Sequence, residues 1–235
     1  VSDERGKFVS NQSRTDYVGV DRLVGLHNKG WIYTAGKPAE VQYLVVDDRG
    51  APAKGMPVDI ALERQETKAA RVKGAGNAYL TEYHTAWVAA GSCKGTSDEA
   101  AQTCSYTPEK PGLYRAVAKI KDTKGREHST TLESYVTGRD YVAWNSDEND
   151  SSLTIIPERT DYKVGETARY LVKNPYPGAK ALITVERYGV LDRFVQTFDS
   201  STPVVELKVK PDYVPGFYLS VVIVSPRVEK PLGEG

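Results

Sequence analysis

The chain has 235 residues, 40% hydrophobic and 26% charged, with 31 basic and 31 acidic side chains and a formal net charge of zero. That is enough apolar material for one large or two ordinary domains. A balanced charge without long runs argues against a nucleic-acid partner or an anionic membrane surface, and no stretch approaches the 18 or so apolar residues of a membrane-spanning helix.

Strand signals dominate in chain order. "VDIALER" alternates Val58, Ile60 and Leu62 against Asp59, Ala61 and Glu63, and "VELKVKP" alternates Val205, Leu207 and Val209 against Glu206, Lys208 and Lys210. A period of two predicts half-buried strands. "FYLSVVIV" (217–224) is apolar on both faces and reads as a central strand or one covered on both sides. "DDRGAP", "KDTKGRE", "PEKPGLY", "NPYPGAK" and "PDYVPGFY" punctuate these runs with turn residues. "SDEAAQ" (97–102) is the one place for a single helical turn. Many short strands with regular turns predict an all-β chain of antiparallel sandwiches.

The chain repeats itself. "YTAGKPAEVQYLV" from Tyr33 and "YKVGETARYLV" from Tyr162 share Tyr-x-x-Gly-x-x-Ala and then an apolar run, and Tyr33 to Tyr162 is the same step of 129 residues as Gly36 to Gly165. "PGLYRAVAKI" and "PGFYLSVVIV" echo each other later, pairing Gly112 with Gly216 and Tyr114 with Tyr218. Two tandem copies of one sandwich account for both echoes. "DERGKFVS" (3–10) resembles "DTKGREHS" (122–129), so residues 1–15 read as the last strand of a preceding domain. The first sandwich then spans 16–140, a polar linker 141–150, the second sandwich 151–228 and a tail 229–235. The chain starts at Val1 and its only methionine is Met56, which reads as a processed product or a piece of something longer.

Chemistry-bearing patterns are few. Cys93 and Cys104 sit in "GSCKGTSDEAAQTCSY", which reads as a polar, Gly/Ser/Thr-rich loop; two thiols cannot make a four-ligand zinc site, and His27, His84 and His128 form no pattern with them. A disulfide in an oxidising compartment is the reading that fits, with two free thiols the alternative. Asp47–Asp48 and Asp147–Glu148–Asp150 lack the spacing of a calcium loop. Asn11 and Asn149 open glycosylation acceptor patterns. No catalytic, cofactor-binding or metal residue is assigned, and no cofactor is expected. Tyr114 and Tyr218 sit at positions resembling core or corner tyrosines, and Trp31 and Trp144 lie at unit edges, where they would pack a domain junction.

The phrases "LTIIPERTDYKVGETARYLVKNPYPGAKALITVERYGVLDRFV" and "PVVELKVKPDYVPGFYLSVVIVSPRV" resemble the bacterial alpha-2-macroglobulin family, in a macroglobulin-like domain near the bait region. "YVGV", "DDRGAPAKGMPVDIALER", "CSYTPEKPGLYRA" and "DTKGREHSTT" resemble the preceding domain, which often carries a cysteine pair at this place. The resemblance implies tandem macroglobulin-like sandwiches of the fibronectin type III/Ig-like kind. It implies a non-catalytic scaffold that positions the bait region in a periplasmic protease trap, anchored as a lipoprotein at the inner membrane. Its implied partners are target proteases of the whole parent, neighbouring macroglobulin-like domains, and envelope proteins such as a peptidoglycan synthase; no nucleic acid, and no membrane contact by this fragment, is expected. Neither Cys93 nor Cys104 opens the family's Cys-x-Glu-Gln thioester motif, and bait would begin near or after "SPRVEKPLGEG". The competing reading from the residues alone is a tandem Ig-like adhesion or ligand-binding module of a surface protein.

Overall fold

The computed structural model describes residues 19–73, 79–144 and 152–224, with Gly6 and residues 12–14. The expected strand in residues 1–15, most of the linker, the tail beyond Val224, Asn11, Asn149 and the Asp147–Glu148–Asp150 cluster lie outside the described residues.

Fourteen strands make four sheets among the described residues. The earlier part of the chain forms β1 (Arg22–His27), β2 (Ile32–Thr34), β3 (Ala39–Asp47), β4 (Pro57–Lys73), β5 (Tyr79–Thr96), β6 (Gln102–Tyr106), β7 (Gly112–Lys121) and β8 (Glu127–Thr137). One sheet runs β1-β3-β6 and the other β2-β8-β7-β4-β5; only the β2–β8 pairing is parallel. Their facing sides share a core of Val24, Val41, Tyr43, Val45, Val58, Ile60, Leu62, Ala116, Ala118 and Ile120. The "VDIALER" alternation therefore stands, with Val58, Ile60 and Leu62 all inward.

The later part forms β9 (Ile155–Pro157), β10 (Thr167–Val172), β11 (Ala179–Glu186), β12 (Val190–Phe198), β13 (Val204–Lys208), a 3-10 turn (Pro211–Tyr213) and β14 (Tyr218–Val224). Its sheets run β13-β10-β9 and β12-β11-β14. Val205, Leu207 and Val209 point inward as their alternation predicts, with Phe198, Val172 and Ile183 in the same core region.

The repeat is a repeat of topology. β1-β3-β6 corresponds to β9-β10-β13, and β5-β4-β7 to β12-β11-β14. Gly36 (φ +76°) and Gly165 (φ +90°) occupy the same turn. Each donates its N–H to a carbonyl just past the neighbouring strand, Pro108 in one copy and Val209 in the other, at 2.8 Å. Left-handed backbone is what requires glycine at both places. A bulge follows Leu62 in the β4–β5 pair and Val185 in the β11–β12 pair, which aligns the two copies residue for residue.

That alignment corrects the second echo. Leu62 pairs with Ala116 and Val185 with Leu219, so Tyr114 corresponds to Phe217 and not to Tyr218. Tyr114 is buried and donates its hydroxyl to the Lys110 carbonyl at 2.7 Å, whereas Tyr218 is 77% exposed. A slip of one residue exchanges the two faces of a strand. "SDEAAQ" makes no helical turn: five residues separate β5 from β6, and Ser97 is tied to the loop before β4 by its N–H to Met56 and its hydroxyl to Ala53. That leaves no room for a costly helix nucleus.

The β4–β5 hairpin outruns its sheet. β7 pairs with β4 only through Arg64, while β4 and β5 stay paired to Lys73 and Tyr79. A two-stranded ribbon therefore projects about 30 Å beyond the sandwich, at ~3.3 Å per residue.

Candidate functional site

Three features stand out: the cysteine pair and the contact between the two sandwiches, where the sequence drew attention, and an aromatic groove on the second sandwich, where it did not.

Cys93 and Cys104 form a disulfide with Cα atoms 6.2 Å apart. The cysteines lie in strands, not in the loop between them. β5 is the edge of one sheet and β6 the edge of the other, so the bond clasps the sandwich across its open side. Cys104 is buried against the core.

The two sandwiches meet through a small apolar contact with a polar border. Ile156, Leu171 and Val204 form a cross-strand row on the outer face of β9-β10-β13. Ile32 and Tyr135 of the first sandwich cover it, and Leu171 is wholly buried there. The Thr202 hydroxyl accepts from the Gly138 N–H at 3.0 Å and donates to the Gly138 carbonyl at 3.1 Å. Val142 N–H donates to the Ser201 hydroxyl at 2.8 Å, and Trp144 Nε1–H to the Ser201 carbonyl at 2.7 Å. The Lys173 ammonium lies over both Trp144 and Tyr135, 5.2 and 5.7 Å from the ring centres, where a cation is attracted by the ring faces. Ser201 and Thr202 are buried, and their polar atoms have partners across the contact, as burial demands. Trp144 packs this junction as its place at a unit edge suggested. Trp31 does not: it stays 46% exposed, and its backbone carbonyl accepts from the Tyr135 N–H at 2.7 Å within the first sandwich.

On the second sandwich an open groove of about 430 Å³ is lined by Tyr162, Tyr170, Tyr213 and Phe217, together with Arg159 and Pro215. The Arg159 guanidinium lies 4.6 Å over the Tyr162 ring, and Tyr213 and Phe217 rings are 5.1 Å apart. Lys210 and the Tyr213 hydroxyl converge on Asp192, whose carboxyl is held below its usual range, first by Lys210. The Arg187 guanidinium fastens the 212–216 loop through the Asp212 carbonyl at 2.9 Å and the Val214 carbonyl. This is an apolar, aromatic surface without a nucleophile–base pair.

Burial pushes the Tyr170 hydroxyl up to about 12, with Tyr162 beside it adding to the effect; Tyr33 rises to about 12 for the same first reason, helped by Tyr106 and Glu40. The fold thus favours the neutral phenol. That stabilisation is complete below about pH 10, where an unfolded tyrosine ionises, and is lost as pH rises through about 12. A spectrophotometric alkaline titration should therefore show these two phenols ionising late, with Tyr170→Phe removing one of the late ionisations. Ionisation of all tyrosines near 10 in the folded chain would contradict the burial of both.

Acid turns carry the other perturbed groups. In "DDRGA" Asp47 Oδ1 accepts from the N–H of Arg49 and Ala51, both at 2.9 Å. In "DTKGR" Asp122 Oδ1 accepts from Lys124 and Arg126 N–H at 2.9 and 2.8 Å. Burial alone would raise the Asp122 carboxyl, but Arg126 and these backbone donors outweigh it and hold it far below the usual range. Both aspartates form their own turns, and Asp122 Oδ2 also accepts from the Asp21 N–H at 3.2 Å. Among the described residues no group of three or more His, Cys, Asp and Glu is placed to hold a metal ion, and no helix is long and apolar enough to cross a membrane.

Sequence reading missed the junction row. Its signal was present in "RYLV", where Tyr170, Leu171 and Val172 are apolar on consecutive positions and so on both faces.

Residues 153–234 match the family described as the alpha-2-macroglobulin bait region domain. A curated alpha-2-macroglobulin homolog from Nostoc sp. is 28% identical over 239 residues, covering 100% of this chain but 12% of that protein. Among solved structures, native E. coli alpha-2-macroglobulin aligns over 95% of this chain and 15% of its own, at 15% identity and a TM-score of 0.45. Methylamine-reacted Salmonella alpha-2-macroglobulin aligns over 90% and 14%, at 13% identity and 0.41. The chain is alpha-2-macroglobulin-like, as its phrases indicated, and spans about an eighth of the curated relative.

Proposed function

We propose that this alpha-2-macroglobulin-like chain is scaffold: two sandwiches of a protease-trapping protein, the second belonging to the bait region. The observation that carries the reading is the match of residues 153–234 to the bait region domain, in a sandwich fastened to its predecessor. The junction buries Leu171 and satisfies Ser201 and Thr202 across the contact, so the second sandwich packs directly on the first. Members of the family inhibit proteases and are not enzymes; the aromatic groove and the turn-forming aspartates suit binding and turns better than catalysis. A disulfide between sheets fits a periplasmic or other oxidising compartment. The partners on this reading are target proteases, met by the whole protein, and neighbouring macroglobulin-like domains.

The test compares residues 1–235 with the full-length polypeptide, each incubated with an equimolar endopeptidase. Full-length protein should be cut in its bait and should then lower activity on a protein substrate. Residues 1–235 should leave that activity unchanged. Inhibition by residues 1–235 alone, or cleavage of the full-length protein with no loss of activity, would overturn the reading.

A further inference from the structure

The second sandwich carries two outward rows of three apolar cross-strand neighbours. Ile156–Leu171–Val204 is the row covered by Ile32 and Tyr135. Val195–Leu182–Val222 crosses β12, β11 and β14, and its members are 64, 40 and 53% exposed. Val224, on the same face, is 67% exposed. "FYLSVVIV", read as central or covered on both sides, lies at a sheet edge among the described residues, with its second face bare.

The first sandwich supplies an internal control. Aligned through the shared bulge, Asp59 stands where Leu182 stands, and its row reads Lys94–Asp59–Lys119. Lys94 is 3.4 Å from Asp59 and Lys119 is 3.1 Å from Glu127, so this row is ion-paired and solvated. Where Leu171 stands the first copy has Gln42, in the row His27–Gln42–Thr103. Both rows are polar in one copy and both are apolar in the other. Antiparallel sheets ordinarily turn a polar face to water, and a cluster of bare branched aliphatic side chains marks an interaction site.

We propose that the Leu182 face is a second junction surface, and that its occupant is another β-sandwich of the same polypeptide. Three arguments select that occupant. The only other such row in this unit among the described residues is occupied by a sandwich of its own chain. The curated relative is about eight times the length matched here, so on the reading proposed above further domains are tethered in cis. A tethered partner acts at high effective concentration, so a contact too small for a free partner suffices. The incoming sandwich should offer an aliphatic and an aromatic side chain, as Ile32 and Tyr135 do. Lys180 and Arg193 border the row on either side, so its rim should be acidic.

Val222→Cys and, as its topological equivalent in the charged row, Lys119→Cys test this by maleimide labelling located by peptide mass spectrometry. Both positions are exposed, so neither change should disturb the fold. Val222→Cys should label at least roughly tenfold more slowly in the full-length polypeptide than in residues 1–235, because labelling then waits on opening of the contact. Lys119→Cys should label alike in both. Equal rates for Val222→Cys overturn the proposal. Slow labelling already in residues 1–235, with a dimeric mass, overturns the cis occupant in favour of a second copy. Protease inhibition enters none of these readouts, so the trap reading and this one fail separately.

Discussion

Leu171→Ala should destabilise the chain by about 2–5 kcal/mol, the range for truncating a fully buried leucine, whereas Leu182→Ala should change stability by no more than about 0.5 kcal/mol. Both are leucines at the middle of an outward three-residue row, and one sheet type carries both. They differ in what lies over them. Leu171 is wholly buried beneath Ile32 and Tyr135 and Leu182 is 40% exposed. The loss at Leu171 should also uncouple the sandwiches. Calorimetric unfolding of the parent chain should show one coupled transition, and the Leu171→Ala variant should show two, since the remaining tie is the polar border around Ser201 and Thr202. Equal effects at Leu171 and Leu182 would mean that the junction contributes nothing beyond the sheet face itself. In full-length protein the comparison changes: Leu182→Ala should then cost as a buried leucine does.

Much of this fold was legible in the sequence because alternation and turn chemistry are local. Val58, Ile60 and Leu62 declared their face, as did Val205, Leu207 and Val209, and Gly36 and Gly165 declared their shared turn. What failed did so for different reasons. "FYLSVVIV" is apolar on both faces, but only Leu219, Val221 and Ile223 pack against the core, while Val222 and Val224 on the other face stay exposed. Tyr218 was misplaced because the echo Pro-Gly-x-Tyr matches letters across a one-residue slip, and the pleat reads position, not letters. The projecting ribbon left no trace because "QETKAARV" and "YLTEYHTAW" do not alternate strictly, and nothing local tells a strand in a sheet from one that has outrun it. The junction was half visible: Trp144 pointed to it by its place, while Ser201 and Thr202 are ordinary loop residues until Gly138 and Val142 arrive to bond them.

Loss of the Cys93–Cys104 bond should lower stability by about 3 kcal/mol on the loop-entropy account, given a sequence separation of 11 residues. Placement argues that the effect will be felt where it is expected. β5 and β6 are edge strands of opposite sheets, and no backbone ladder joins those sheets at that side. Cys104 also packs in the core with Val41 and Tyr43 of the one strand beside it, so the bond holds a core position as well as a loop. The variant Cys93→Ala/Cys104→Ala avoids burying a hydroxyl at position 104, where serine would leave a polar group among apolar neighbours. Reductant should lower the unfolding midpoint of the parent chain by the same amount as this double substitution and should leave the variant unmoved. The shift should be confined to the first sandwich, and in the Leu171→Ala background, where the transitions separate, only the one belonging to residues 22–137 should move. A midpoint that neither reductant nor the double substitution changes would show that the sheets are held at that edge by packing alone.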